Sequence, residues 1–225
     1  MIEVEDVWFS YDTRWILKGI NLKLKKRRVY GIVGPIGSGK TTLAKHFNAL
    51  LKPTRGRVLV DGLDTRQVPQ HVVMSKVGYV FQNPCHQLFC SSVEEELKFA
   101  PKNFRREPDM SVAEFFSLHR LLSLHPFTLS TGQMEKLAIA SVASYSPEAI
   151  ILDEPTLGAD EETLAVLKRF IHHYRERGNL VVVISHDVDF VLEVADEIIG
   201  MKRGRVEFQL PNTENVWETV RGLYG

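Results

Sequence analysis

The chain has 225 residues, and its 28 basic and 28 acidic side chains cancel to a formal net charge of +0. That balance carries neither the basic footprint of a nucleic-acid binder nor the acidic, aromatic-poor composition of a disordered chain. Hydrophobic residues make up 44%, enough to bury a core in one large domain.

The longest aliphatic run, Leu180 to Ile184, is five residues, far short of the roughly 20 that span a bilayer. Met1 to Asp6 offers neither a cationic run nor an apolar one, so no secretory signal is expected and the chain reads as cytosolic. Cys85 and Cys90 flank His86 at a spacing that suits neither a zinc site nor a redox pair. They are read as two reduced structural thiols.

In chain order, Ile20, Leu22 and Leu24 alternate with polar residues, and Val58-Leu59-Val60 runs into the turn pair Asp61-Gly62. A half-buried sheet is predicted there. Val29–Val33, Val77–Phe81, Ala149–Leu152 and Leu180–Ile184 read as strands buried on both faces. Interleaved with helical patterns, they imply a parallel α/β sheet. From about Asn83 to Tyr145 the strand signals stop, and Ser92/Glu95 and Ser111/Glu114 read as capping boxes that open helices. This stretch is predicted to be an inserted helical lobe.

Gly34-Pro35-Ile36-Gly37-Ser38-Gly39-Lys40-Thr41 fits GxxxxGK[ST] between the strand Val29–Val33 and a helical stretch Thr42–Leu51, which is the context the motif needs. The glycines let backbone N–H groups wrap phosphates, Lys40 reaches the β and γ oxygens, Thr41 can ligate Mg²⁺, and the helix dipole favours an anion. A magnesium nucleotide also needs a carboxylate at the end of a neighbouring strand. Asp153 supplies it, and Glu154 beside it can polarise a water as general base. His186 follows another buried strand, and Ser130-Thr131-Gly132-Gln133 opens a helix to about Tyr145 whose N-terminus can bind an anion. Taken singly these have plainer readings: two acids before Pro155 as a helix start, a surface histidine, a serine cap. Their value lies in the set.

That ordered set, together with Gln82 after a strand and Asp160, resembles the ATP-binding cassette (ABC) ATPases over nearly the whole chain. The resemblance implies an α/β fold: a P-loop NTPase (RecA-like) core with an antiparallel β subdomain and an inserted α-helical subdomain. One domain would cover 1–225, with 1–82 and 146–225 as the nucleotide-binding core and 83–145 as the helical signature subdomain. It implies ATP and Mg²⁺ as ligands and a head-to-tail pair of cassettes, homo- or heterodimeric, in which Ser130, Thr131, Gly132 and Gln133 serve the partner's nucleotide. Tyr11 would stack on adenine, although Trp8, Phe9 and Trp15 lie nearby. Thr42 would follow the phosphate loop, and Gln82 would join Mg²⁺ and water to a membrane partner. Glu154 would be the catalytic base, His186 the switch histidine and Asp160 a cross-dimer contact.

Val80-Phe81-Gln82-Asn83-Pro84, Gln87-Leu88-Phe89 and Ser92 to Pro101 are similar to the cassettes of energy-coupling factor (ECF) transporters, importers of metal ions and vitamins. This implies a peripheral subunit at the cytoplasmic face of the membrane. It would bear a transmembrane coupling protein and a substrate-binding membrane subunit, with no nucleic acid as partner. Phe89 and Leu97 are the candidate docking contacts, with packing inside the helical lobe as the plainer reading of both. Two departures stand out: Thr131 where the signature has Gly, and Leu157-Gly158-Ala159-Asp160 in place of Ala-Gly-Leu-Asp. The short lobe and the end at Gly225 lead us to expect a dimer that leans on ATP or the coupling protein. The alternatives are a soluble cassette acting on nucleic acid or the ribosome, against which stand the absence of heptads and of a second P-loop, and a regulatory subunit that hardly hydrolyses.

Overall fold

A strand buried on both faces needs a covering layer on each side, and the alternation of side chains along it divides them between two cores. The computed structural model describes residues 1–224. It runs β1 (Ile2–Ser10), β2 (Trp15–Leu24), β3 (Arg28–Val33), α1 (Lys40–Phe47), β4 (Arg55–Val60), β5 (Leu63–Asp64), α2 (Gln70–Met74) and β6 (Val77–Val80). Helices α3 (Val93–Asn103), α4 (Ser111–Phe115) and α5 (Thr131–Ala143) follow, with 3₁₀ turns at Pro84–His86 and Pro126–Thr128. The chain closes with β7 (Ala149–Asp153), α6 (Glu161–Glu176), β8 (Leu180–Ile184), α7 (Val188–Val194), β9 (Glu197–Lys202), β10 (Arg205–Pro211) and α8 (Val216–Gly222).

The main sheet has the order β10-β9-β3-β8-β7-β6, parallel except for β10. On one face Val29, Val33, Ile150, Leu152, Val181 and Val183 pack under α5 to α8. On the other, Tyr30, Ile32, Ile151, Val182 and Ile184 meet Leu43 and Phe47 of α1 and the antiparallel sheet β2-β1-β4-β5. Each such side chain, fully buried, contributes about 1.5–3 kcal/mol of transfer free energy. The β4–β5 hairpin turns on Asp61 (φ 48) and Gly62 (φ 80), the doubly left-handed geometry of a type I′ turn. Chain connectivity places the ends of β3, β7 and β8 side by side, and every candidate acid and base hangs from those ends.

Several expectations are corrected. The first helix starts earlier than Thr42, because Gly39 at φ 103 caps it, and stops at Phe47, because Ala49 turns left-handed at φ 61. Ser92 does cap α3, accepting the Glu95 N–H at 3.2 Å. Ser111 caps nothing: it lies inside α4, and the Asp109 carboxylate accepts its N–H. Both cysteines are free, Cys85 exposed and Cys90 half-buried. Strands β9 and β10 are additions to the predicted set: Gly200 breaks the apolar run of β9, whereas Val206, Phe208 and Leu210 alternate with polar residues along β10. Among the described residues no helix is long and apolar enough to cross a membrane.

Candidate functional site

The loop from Gly34 to Gly39 leaves the end of β3 and feeds directly into α1. The first N–H groups of that helix have no intrahelical partner, and the helix dipole adds positive potential there. Lys40 is 7% exposed, and its Nζ donates to the carbonyls of Gly34 (2.7 Å) and Pro35 (3.3 Å). Burial pulls its pKa down, while the charges of Glu154 and Asp153 push it back up.

Asp153 ends β7 and is 4% exposed. Its Oδ1 accepts Thr41 Oγ1 at 3.0 Å and its Oδ2 accepts the Tyr79 hydroxyl at 2.6 Å. Burial raises its pKa against the pull of those two donors. Tyr79 lies in a strand whose sequence signals only burial; burial and the Asp153 charge keep it a protonated donor. A hydroxyl and a buried carboxylate side by side are the hard oxygen pair that Mg²⁺ prefers, so the donor set fits that ion.

Glu154 has φ 53, a left-handed backbone that costs a non-glycine residue about 1–3 kcal/mol and recurs at functional sites. Its N–H donates to Ile184 O at 2.8 Å, which ties it across to β8. One carboxylate oxygen then accepts both the His186 N–H at 3.1 Å and His186 Nδ1 at 2.8 Å. Acid and imidazole are thereby held on one side of the loop, the acid with its other oxygen left for a water.

Tyr11, Ile36, Gly37, Gly39 to Thr42, Gln82, Glu154 and His186 border one cavity of about 570 Å³. Tyr11 is 59% exposed and stands edge-on to Phe9 at 4.9 Å. Its aromatic neighbours do not compete for the place: Phe9 is core, and Trp8 packs on Trp15 at 5.6 Å. Gly34 lies behind the loop. Pro35 and Ser38 face a second hollow of about 390 Å³ with Arg14, Lys18, Lys202 and Arg203.

The signature residues stand apart from this cavity. Ser130 Oγ accepts the Gln133 N–H at 3.3 Å while Gln133 Oε1 accepts the Ser130 N–H at 3.0 Å, a complete capping box for α5. Thr131 is exposed in its first turn. Gly132 sits where a Cβ would come within 3.1 Å of Thr163 Oγ1. Asp160 caps α6, accepting the Thr163 N–H at 2.7 Å, a bond that holds its carboxyl below the usual range.

Between α3, α5 and the edge of the core runs an apolar groove of about 230 Å³. Phe89, 63% exposed, and Phe99 meet edge-to-face across it at 4.7 Å. Leu97, the other predicted contact, is fully buried: it lies four residues after Val93 on the inward face of α3. Two residues of the stretch that resembles ECF cassettes, neither predicted as a contact, shape the groove. Gln87 donates to Ala138 O at 2.6 Å and Ser141 Oγ at 2.9 Å, and buried Glu96 accepts the N–H groups of Phe89 and Cys90.

An α/β core with a glycine loop feeding a helix, beside strand-end acids, defines a P-loop ATPase. The family model described as "ABC transporter" matches residues 17–157. A putative ABC transporter ATP-binding protein of Pyrococcus furiosus is 41% identical over 215 residues, covering 92% of this chain and 82% of its own. The energy-coupling factor transporter ATP-binding protein EcfA of Methanocaldococcus jannaschii is 35% identical over 215 residues, covering 92% of this chain and 77% of its own. The solved structure of CbiO1 from Clostridium perfringens, part of the ABC transporter complex CbiONQ, superposes with a TM-score of 0.84 at 31% identity, covering 98% of this chain and 92% of that one. The chain belongs to the ABC transporter ATPase family.

Proposed function

We propose that the chain is the ATP-hydrolysing subunit of an ECF-type importer of a metal ion or vitamin, held at the cytoplasmic face of the membrane by a transmembrane coupling protein. The observation that carries this is the groove at Phe89 and Phe99. Two exposed, mutually packed phenylalanines on a floor braced by Gln87 and Glu96 make a preformed socket for an apolar segment. Its sequence is the one that resembles ECF cassettes.

Bound ATP would lay its adenine on Tyr11 and its phosphates along Gly34 to Thr42, with Lys40 leaving the loop carbonyls for the β and γ oxygens. Thr41, Asp153 and Gln82 would hold Mg²⁺, which neutralises phosphate charge when bound. Glu154 polarises the attacking water, and His186, bonded to the same carboxylate oxygen, keeps the acid aimed and faces the γ-phosphate. The signature turn Ser130 to Gln133 and Asp160 lie outside the cavity, so they are free to complete the site of a second cassette placed head to tail.

The test is affinity purification of the tagged chain from detergent-solubilised membranes, beside its Phe89→Glu variant. The expected result is a polytopic membrane protein with a small membrane subunit in the first case and its loss in the second, while ATP binding survives in both. Recovery of the chain with ribosomes or nucleic acid instead would overturn the transport role.

A further inference from the structure

Gly34, the first residue of the phosphate loop, is gripped from three sides. Its carbonyl accepts Lys40 Nζ at 2.7 Å. Its Cα is pressed against β9, where a Cβ built on it would stand 2.0 Å from the Met201 carbonyl oxygen. Its N–H donates to the hydroxyl of Tyr224 at 3.1 Å, across 190 residues of chain. The first two grips belong to the loop and its sheet; the third comes from the end of α8. That helix is rooted in the core by Val216, Val220 and Leu223, all buried in the cluster that contains Val33. Leu223 precedes Tyr224, so its burial fixes where the tyrosine stands.

We propose that Tyr224 is a positioning residue for nucleotide binding: its hydroxyl anchors the Gly34 N–H so that the loop keeps its shape when Lys40 turns from the loop carbonyls to phosphate. This rests on the reading of Gly34 to Thr41 as the phosphate cradle. When Lys40 departs, the Gly34 carbonyl loses its intraloop bond, and the peptide on the other side of the same Cα, whose N–H Tyr224 holds, is what still ties the residue down. The close approach to Met201 bars it from relaxing toward β9, so the side facing Tyr224 is the one on which it needs a restraint. A cradle held in its binding shape binds more tightly, because less ordering remains to be done on association. The effect falls on ATP and ADP alike, since both place a β-phosphate in the loop. Burial, helped by the Glu154 charge, raises the Tyr224 pKa against the pull of the Gly34 bond, so the oxygen stays a neutral acceptor.

The experiment compares the parent chain with Tyr224→Phe, Tyr224→Ala and Lys40→Ala, reading affinity for ATP and ADP by displacement of a fluorescent nucleotide, and KM, kcat and melting without nucleotide. Tyr224→Phe is expected to weaken both nucleotides about three- to tenfold, the worth of one ordinary hydrogen bond. KM should rise by that factor, kcat should change less, and the nucleotide-free melting should stay that of the parent. Tyr224→Ala should lose no less. If Phe binds as the parent does and only Ala is weak, ring packing alone matters and the proposal fails. It fails too if the loss in Phe is matched by lower melting. A parent that binds no better than Lys40→Ala would instead sink the cradle itself, and the Tyr224 role with it.

Discussion

The phosphate loop and the signature turn are both anion-facing helix starts, yet the chain treats them differently. Around the loop, one chain brings several groups together: Lys40, Thr41, Glu154, His186 and Tyr11 line one cavity, and Asp153 is bonded to Thr41 behind it. The signature turn converges on nothing. Ser130 and Gln133 satisfy each other, Asp160 satisfies the start of α6, and a Lys136–Glu162 pair at 3.1 Å joins the two helices. A helix N-terminus so finished, with Thr131 exposed on it, is stable alone and still presents N–H groups outward. On the proposed reading, one end is the chain's own half of a site and the other is the half it lends to a partner.

The largest expected effect lies in the first half. Glu154→Gln should keep ATP binding and lower phosphate release about 10²- to 10⁴-fold, the usual worth of a general base. Single-turnover phosphate release measures it, and near-normal release would remove Glu154 from that role. A smaller effect tests the separation directly. Lys40→Ala should disable a chain's own cavity, and Ser130→Glu should disable the site that the chain lends to. An equal mixture of the two chains should recover about a quarter of parental hydrolysis, because half the two-fold pairs are mixed and each has one intact site. No recovery on mixing would mean that both halves act within one chain.

The two halves also differed in how far the sequence revealed them. The strands Val29–Val33, Ala149–Leu152 and Leu180–Ile184 are legible because burial on both faces leaves an unbroken aliphatic run, and a glycine loop before a helix has few other uses. Asp153 and Glu154 could be located from the strand they end. What Asp153 bonds to could not, because the Tyr79 hydroxyl reaches it only through the pairing of Tyr79 with Ile151 across β6 and β7. Tyr224 is hidden for the same reason, its partner being 190 residues away. In the helical stretch the short elements carry weak signals. Ser111 has the spacing of a cap, but Asp109 takes its N–H; for Leu97 spacing leaves docking contact and lobe packing both open, and the structure puts it with Val93 and Pro101 in one buried stripe on α3. Local spacing predicts what a helix or loop is, whereas contacts between elements depend on a register that no single segment contains.

The smallest expected effect again separates the halves, because a buried titratable histidine underlies the cavity side. His46 is fully buried; its Nδ1–H donates to Thr42 O at 2.7 Å, and its ring packs edge-on to Phe9 at 4.7 Å, directly beneath the Tyr11 contact. Burial penalises the charged form and lowers the pKa below the ordinary histidine value, against the opposing pull of the Thr42 and Lys52 backbone. With the folded pKa lower than the unfolded one, the unfolded chain binds the extra proton first as pH falls. The stabilisation from neutral His46 is therefore full above about pH 6.5 and is lost below it, by at most about 1.4 kcal/mol per pH unit, until the folded pKa is reached. His46→Leu removes the titration while keeping an apolar side chain under Phe9. Denaturant unfolding from pH 7.5 to 5 should show parental stability falling more steeply than that of the variant, whatever their difference at neutral pH. Parallel curves would show that His46 does not become charged on unfolding, and the acid sensitivity of the loop side would have to come from its carboxylates.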